Sequence, residues 1–258
     1  MTDVVLLEVR DRIATVTLNR PEARNALSVD VLRALPRVMV EADGRDDVDV
    51  LVLTGADPAF CAGLDLKELG ATGGPLRAGD AGAGRGPFPT VTKPVIGAVN
   101  GAAVTGGFEL ALNCDFLVAS ERARFADTHA RVGLQPAWGL SVLLPQAVGV
   151  RRAREMSATG NFVDASTALD WGLVNHVVAH ADLLAFARSL AGDIVSNDQA
   201  ALRRLLATYN EGVDDQLGHG WVREQWVAGE WQGGEGLDPA EIERRRQGIL
   251  VRGRAQTT

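Results

Sequence analysis

Lys93-Pro94-Val95-Ile96-Gly97-Ala98-Val99-Asn100-Gly101-Ala102-Ala103-Val104-Thr105-Gly106-Gly107-Phe108-Glu109-Leu110 is an apolar run, a turn of small residues and the start of an apolar helix. Residues 94–99 are short, uninterrupted and stopped by Asn100-Gly101, the pattern of a buried strand. Residues 102–115 read as a glycine-containing turn entering a helix. The same form occurs earlier: residues 48–54 are a short apolar strand stopped by Gly55, and Phe60-Cys61-Ala62-Gly63-Leu64-Asp65-Leu66 is a small-residue turn that opens a helix. The first N–H groups of a helix have no intrahelical partner, and the helix dipole adds positive partial charge there. Two such ends brought together aim two donors at one point, the geometry that stabilises an oxyanion. Glycine in each turn lets a ligand approach the backbone. Tight strand–helix packing would use the same glycines.

On either side of these segments the chain continues the alternation. Residues 4–10 and 12–19 predict an antiparallel hairpin around Arg10-Asp11-Arg12. Ser28 is placed to cap a helix to about Ala42, with Leu32, Leu35 and Met39 on one stripe and Pro36 as a kink. Residues 70–89, with seven glycines and three prolines, predict a surface loop. Short strands are expected at 116–119, 124–126 and 174–178. Helices are expected at about 140–147, 151–158, 165–172, 181–195, 199–208 and 239–251. Strands alternating with helices point to an α/β fold. The division expected is a core of residues 1–195 and a C-terminal helical oligomerisation region of residues 196–258. Trp221, Trp226 and Trp231 fall in a stretch read as poor in helix, and their apolar surface predicts a subunit contact.

Composition narrows the function. The chain has 258 residues, 46% apolar, with a net charge of −7. That size buries a substantial core. An acidic chain lacks the basic footprint of sequence-independent nucleic-acid binding, so no nucleic-acid partner is expected. No run of 18 apolar residues predicts a membrane span, and no secretory signal is visible, so the expected location is cytoplasmic. Two cysteines make no disulfide framework. The histidines show no metal-ligand spacing, and neither a dinucleotide fingerprint nor a P-loop is present.

The 60–66 and 93–110 segments resemble the enoyl-CoA hydratase/isomerase (crotonase) superfamily. The resemblance extends to Asn19-Arg20-Pro21-Glu22-Ala23-Arg24-Asn25-Ala26-Leu27-Ser28, to residues 133–145 and 165–178, and to Asp238-Pro239-Ala240-Glu241-Ile242-Glu243-Arg244-Arg245-Arg246. It implies a spiral of stacked ββα units with a C-terminal helical region. It also implies a coenzyme A thioester as substrate, no further cofactor and no metal, and a homo-oligomer, either a trimer or a dimer of trimers. By resemblance the oxyanion donors are the N–H groups of Ala62 and Gly106, and Glu109 is the first catalytic carboxylate, which activates water at the β-carbon. Ala23, Arg24 and Ala26 would lie near pantetheine and nucleotide and Asp65 and Leu66 beside the adenine, with Gly63 and Leu64 also in the coenzyme A and substrate site.

The chain departs from the pattern at the second carboxylate, which the hydratases carry twenty positions after the first. Here that position holds His129. A neutral imidazole could move the α-proton near pH 7, or it could be a polar pocket wall. Asp127, read as two positions back along a strand, could orient it. Trp138 stands where the family has small residues and could narrow the acyl pocket or simply pack. Arg244, Arg245, Arg246, Arg252 and Arg254 could be a solvated helix end or a site for the coenzyme A phosphates. The leading expectation is reversible hydration of a trans-2-enoyl-CoA to a 3-hydroxyacyl-CoA. Double-bond isomerisation and a non-catalytic acyl-CoA-binding protein are the alternatives.

Overall fold

The computed structural model describes residues 3–68, 86–232 and 239–256. The loop expected at 70–89 therefore lies largely outside the described residues. The N-terminal hairpin is β1 (Val5–Arg10) against β2 (Ile13–Leu18), antiparallel, with Val5 opposite Leu18. The turn holds Asp11 and Arg12 at positive φ. Helix α1 (Val29–Gly44) is capped by Ser28, whose hydroxyl accepts from Val31 N–H at 3.3 Å, and it buries Leu32, Leu35 and Met39 as the stripe predicts.

Two sheets follow. The larger has the order β1, β2, β3 (Val50–Gly55), β5 (Val95–Val99), β7 (Phe116–Ser120) and β10 (His176–Val178), parallel from β2 onward. β3 and β5 are buried throughout, as their continuous apolar runs require of a parallel sheet covered on both faces. The smaller sheet joins β4 (Ala59–Cys61), β6 (Ala102–Val104), β8 (Arg124–Ala126) and β9 (Val163–Asp164). Three of these strands have three residues and one has two, too few for a period-2 signal. Residues 60–61 and 102–104, short and rich in small side chains, read as turns in the sequence, while 124–126 is a strand as expected. Each turn of the chain adds a strand to the large sheet and then one to the small sheet: β3 then β4, β5 then β6, β7 then β8. This is the stacked ββα spiral expected.

Between β6 and β7 lies α2 (Gly106–Leu112), and after β8 a single helical turn, α3 (His129–Val132). Helices α4 (Leu140–Val148), α5 (Val150–Thr159), α6 (Ala165–Asp170) and α7 (Leu183–Val195) follow. Helix α8 runs unbroken over Gln199–Gln232, not 199–208. The tryptophan stretch read as poor in helix is helical. Gly212, Gly218, Gly220 and Gly229 lower its propensity, but Trp221, Glu224 and Ala228 are buried, and tertiary packing wins. Helix α9 (Pro239–Ala255) buries Ile242 against Val132 and Leu134, so it packs on the turn that carries His129.

Candidate active site

The two small-residue turns meet. A Cβ on Gly107 would lie 2.1 Å from Cys61 O, and one on Gly63, at φ +85°, 2.8 Å from Val104 O and 3.4 Å from Gly106 N. Only glycine allows this approach. The early loop then closes on the first turn. Leu27 N–H donates to Gly63 O (2.8 Å), Asp65 N–H to Leu27 O (3.1 Å) and Ala62 N–H to Arg24 O (3.1 Å). The segments that hold the predicted ligand-binding residues Ala23, Arg24, Ala26 and Gly63–Leu66 therefore lie side by side. Arg24 is exposed there, and Ala26 and Gly63 are buried.

Two residues that the sequence reading passed over hold these segments. Asn25 is 1% exposed at φ +55°, and its Nδ2 donates to Ala56 O and Ala59 O at 2.7 Å. Arg20 Nη1 donates to Ala26 O (2.7 Å) and pairs with Asp65 (3.1 Å). Tolerance of the left-handed conformation was the sequence signal for Asn25; nothing local marks Arg20.

The two expected oxyanion donors differ. Gly106 opens α2, where the first N–H groups lack intrahelical acceptors. Ala62 N–H already points at Arg24 O. A ligand oxygen would share it.

Glu109 is 2% exposed, one turn into α2. Its Oε1 accepts the backbone N–H of Trp138 at 2.8 Å, and its Oε2 faces His129 Nε2 at 3.4 Å. Trp138 is thus more than a wall: its backbone orients the carboxylate, while its ring stands over the second turn. A Cβ on Gly106 would lie 3.0 Å from Trp138 Cζ3 and 3.3 Å from Leu27 Cδ1. Asn113 Nδ2 ties the two segments, donating to Glu109 O and Trp138 O at 2.8 Å each.

His129 sits on a turn, not in a strand. β8 ends at Ala126, and Asp127 Oδ1 accepts both the His129 N–H (3.1 Å) and, at 2.8 Å, the ring at Nδ1. The carboxylate of Asp127 fixes the ring with Nε2 toward Glu109. Burial opposes charge on the imidazole, but the Glu109 charge and the bond to Asp127 outweigh it and raise its pKa to about 10. Burial likewise opposes charge on Asp127, and the His129 contacts reverse it, holding that carboxyl below its usual range. The sequence reading offered a neutral imidazole as the proton carrier; the charge of Glu109 and the bond to Asp127 favour the charged ring instead.

Glu224 was not foreseen. It arrives from α8 and is 6% exposed. It accepts Gly139 N–H (2.6 Å), Ser141 N–H (2.7 Å) and the Ser141 hydroxyl. It caps the start of α4 immediately after Trp138, and Trp221 packs against Gly139 from the same helix. Burial and the charge of Glu109 raise its pKa. A Glu in an unpatterned helix carries no sequence signal for this role.

The arginines of α9 are engaged at home. Arg244 and Arg245 pair with Glu241, Arg246 with Glu243 (2.7 Å), and Arg252 Nη2 donates to Asn161 (2.7 Å). Arg245 also donates to Val132 O at 3.0 Å. The side chain of Arg254 lies outside the described residues. Burial pushes the Cys61 thiol up to about 12, which removes it as a nucleophile.

Residues 8–233 match the family described as enoyl-CoA hydratase/isomerase. A probable peroxisomal enoyl-CoA hydratase 1 of Arabidopsis thaliana is 39% identical over 220 residues, covering 83% of this chain and 80% of that protein. The crystal structure of an enoyl-CoA hydratase from Mycobacterium smegmatis is 54% identical with a TM-score of 0.80, covering 88% of this chain and 97% of that one. The enoyl-CoA hydratase of Mycobacterium tuberculosis H37Rv is 52% identical with a TM-score of 0.82, covering 90% and 98%.

Proposed function

The chain belongs to the enoyl-CoA hydratase/isomerase family, and from that premise we propose that it adds water reversibly to a trans-2-enoyl-CoA to give a 3-hydroxyacyl-CoA. The observation that carries the reading is the 3.4 Å approach of His129 Nε2 to Glu109 Oε2. Hydration needs one group to take a proton from water and another to give one to the α-carbon.

Glu109 takes a proton from water as its oxygen bonds to the β-carbon. The double-bond electrons move toward the thioester carbonyl, and the enolate oxygen is held by Gly106 N–H and by the shared N–H of Ala62. The imidazolium of His129 protonates the α-carbon. Glu109 is then a carboxylic acid and His129 a neutral imidazole, and one proton passing from Oε2 to Nε2 restores both. Asp127 holds the ring for both transfers. Each oxyanion donor contributes roughly 3–4 kcal/mol of barrier lowering.

The surface of Ala23, Arg24, Ala26 and Gly63–Leu66 carries the coenzyme A moiety in this reading. The exposed apolar side chains of α8 assemble the chain into a trimer or a pair of trimers. The test is turnover of crotonyl-CoA with identification of the product. 3-Hydroxybutyryl-CoA sustains the reading. A shifted double bond makes the chain an isomerase, and binding without turnover makes it an acyl-CoA binder.

A further inference from the structure

Thr105 has φ +54° and ψ −116°, a conformation that belongs to glycine. Among the described residues four other non-glycine residues have positive φ, Asp11, Arg12, Arg24 and Asn25, and none is β-branched. A branched Cβ is the most poorly suited to this region, so the position holds strain that the surroundings must impose. Thr105 is 6% exposed, so neither solvation nor a surface contact explains the residue.

Every polar group of Thr105 is tied to a different part of the site. Its N–H donates to Ala126 O at 2.9 Å, the last residue of β8. Its carbonyl accepts Phe108 N–H (2.9 Å) and Glu109 N–H (3.0 Å). Its hydroxyl lies 2.5 Å from the hydroxyl of Thr128, and Thr128 is 2% exposed. Thr128 precedes His129, and Thr105 precedes Gly106. One bond between two buried hydroxyls therefore joins the residue before the donor N–H to the residue before the imidazole. A glycine at position 105 would adopt the same φ and ψ without strain but would lack the hydroxyl. The strained threonine keeps the link that glycine would lose.

We infer that Thr105 is a positioning residue whose hydroxyl bond to Thr128 holds the Gly106 N–H and the His129 ring in register. This rests on the active-site reading above but not on hydration itself. Enolate formation needs the donor and the proton-transfer group aligned within a few tenths of an ångström, and loss of alignment slows the chemical step more than it weakens binding.

The variants are Thr105→Gly, Thr105→Ser and Thr128→Val, measured for crotonyl-CoA hydration, for exchange of the α-hydrogens of butyryl-CoA with deuterated water, and for thermal melting. Exchange requires an enolate and α-proton transfer but no water addition. Thr105→Gly is expected to melt within a few degrees of the parent, relief of strain offsetting the lost hydroxyl bond, while kcat and exchange both fall about 10-fold or more and KM changes less than about 3-fold. Thr105→Ser, which keeps the hydroxyl, is expected within about 3-fold of the parent. Thr128→Val is expected to match Thr105→Gly, with the double variant no slower than either single one. Exchange at the parental rate in Thr105→Gly overturns the inference, as does Thr105→Ser proving as slow as Thr105→Gly. A parent chain that exchanges α-hydrogens without hydrating crotonyl-CoA overturns the hydratase reading and leaves this inference standing.

Discussion

His129 and Glu109 face each other at 3.4 Å, from opposite ends of the 106–129 stretch, with both side chains almost fully buried. Glu109 comes from the first turns of α2, and His129 from the one-turn helix after β8. The parallel pairing of β6 with β8 sets the two starting points side by side. The pair makes the first prediction concrete. Glu109→Gln keeps an oxygen to accept Trp138 N–H but cannot take a proton from water. Its kcat is expected to fall by about 10²–10⁴-fold, while binding of a coenzyme A ester stays within a few-fold. Stopped turnover and isothermal titration with acetoacetyl-CoA check the two halves, and a near-parental kcat would remove Glu109 from the chemistry.

Glu224 supports the same carboxylate from a distance. It holds Gly139 and Ser141, and the residue just before Gly139 donates its N–H to Glu109. Glu224→Ala leaves the buried Gly139 N–H and two donors of the exposed Ser141 without their acceptor. A loss of about 2–4 kcal/mol of stability is expected, together with a kcat that falls more than KM rises. Glu224→Gln, which still accepts through one oxygen, is expected between the two. Denaturant unfolding combined with steady-state kinetics tests this; an Ala variant with parental stability would show that the capping contributes little.

The parts read correctly from the sequence are those governed by local rules. The 50–55 and 95–99 strands announce themselves as unbroken apolar runs, Ser28 as a cap, and Gly63 and Gly107 as residues at which two backbones touch. What the sequence does not carry is set by approach of distant parts. Asp127 reaches the imidazole because the chain leaves β8 and turns, so strand alternation was the wrong rule for that pair. The raised pKa of His129 depends on Glu109, far along the chain. Glu224 and Trp221 belong to a helix whose glycines hide it and whose hydrophobic pattern is weak, because one short face is buried and the rest is exposed. Thr105 reads as an ordinary turn residue until its φ is known.

The Trp138 ring stands over Gly106, and under the proposed function it bounds the room beside the thioester. Trp138→Leu removes ring atoms while leaving the backbone N–H to Glu109 in place. The kcat/KM ratio of a long-chain enoyl-CoA to crotonyl-CoA is expected to rise about 10-fold, in line with one or two methylene contacts. Kinetics on a chain-length series measures it. An unchanged ratio would make the ring packing alone.

Helix α8 exposes Leu205 (53%), Tyr209 (65%), Val222 (66%), Trp226 (48%) and Trp231 (58%), the last with its indole N–H bonded to Gly133 O. Trp221, grouped with the other two tryptophans in the sequence reading, is not among them, because it is buried against Gly139. In the assembly proposed above, these exposed apolar side chains form the subunit contact. Light scattering at micromolar concentration is expected to give the mass of three or six chains. Trp226→Glu is expected to shift that mass downward, and a parent that scatters as one chain would contradict the assembly.

The charge on His129 has consequences for pH that can be worked out in sign. The folded pKa is raised to about 10, against about 6.5 for an unperturbed histidine in the unfolded chain. Below about 6.5 both states carry the proton, and the full stabilisation from Glu109 and Asp127 is present. Between about 6.5 and 10 only the folded state holds it, so this contribution falls as pH rises, at about 1.4 kcal/mol per pH unit for one proton. Above 10 it is gone. The difference in unfolding free energy between the parent chain and His129→Gln is therefore expected to be largest in mild acid and to shrink toward pH 10. In the kinetics, the histidine limb of the kcat/KM profile is expected at alkaline pH and not near 6.5. Glu109→Gln removes the largest of the contributions that raise the imidazole, so in that variant the His129 ring is expected to titrate lower, which NMR of the ring protons follows directly. His129→Gln is expected to lose about 10²-fold or more in kcat/KM. His129→Glu restores the carboxylate of the family pattern but faces Asp127 as well as Glu109. Three buried carboxyls without a cation between them cannot all ionise, so this variant is expected to be slow, and to regain activity when Asp127→Asn is added. A His129 ring that titrates near 6.5 in the parent would mean that the imidazolium is not the proton donor, and a His129→Glu variant as fast as the parent without the second change would overturn the charge argument for three carboxyls.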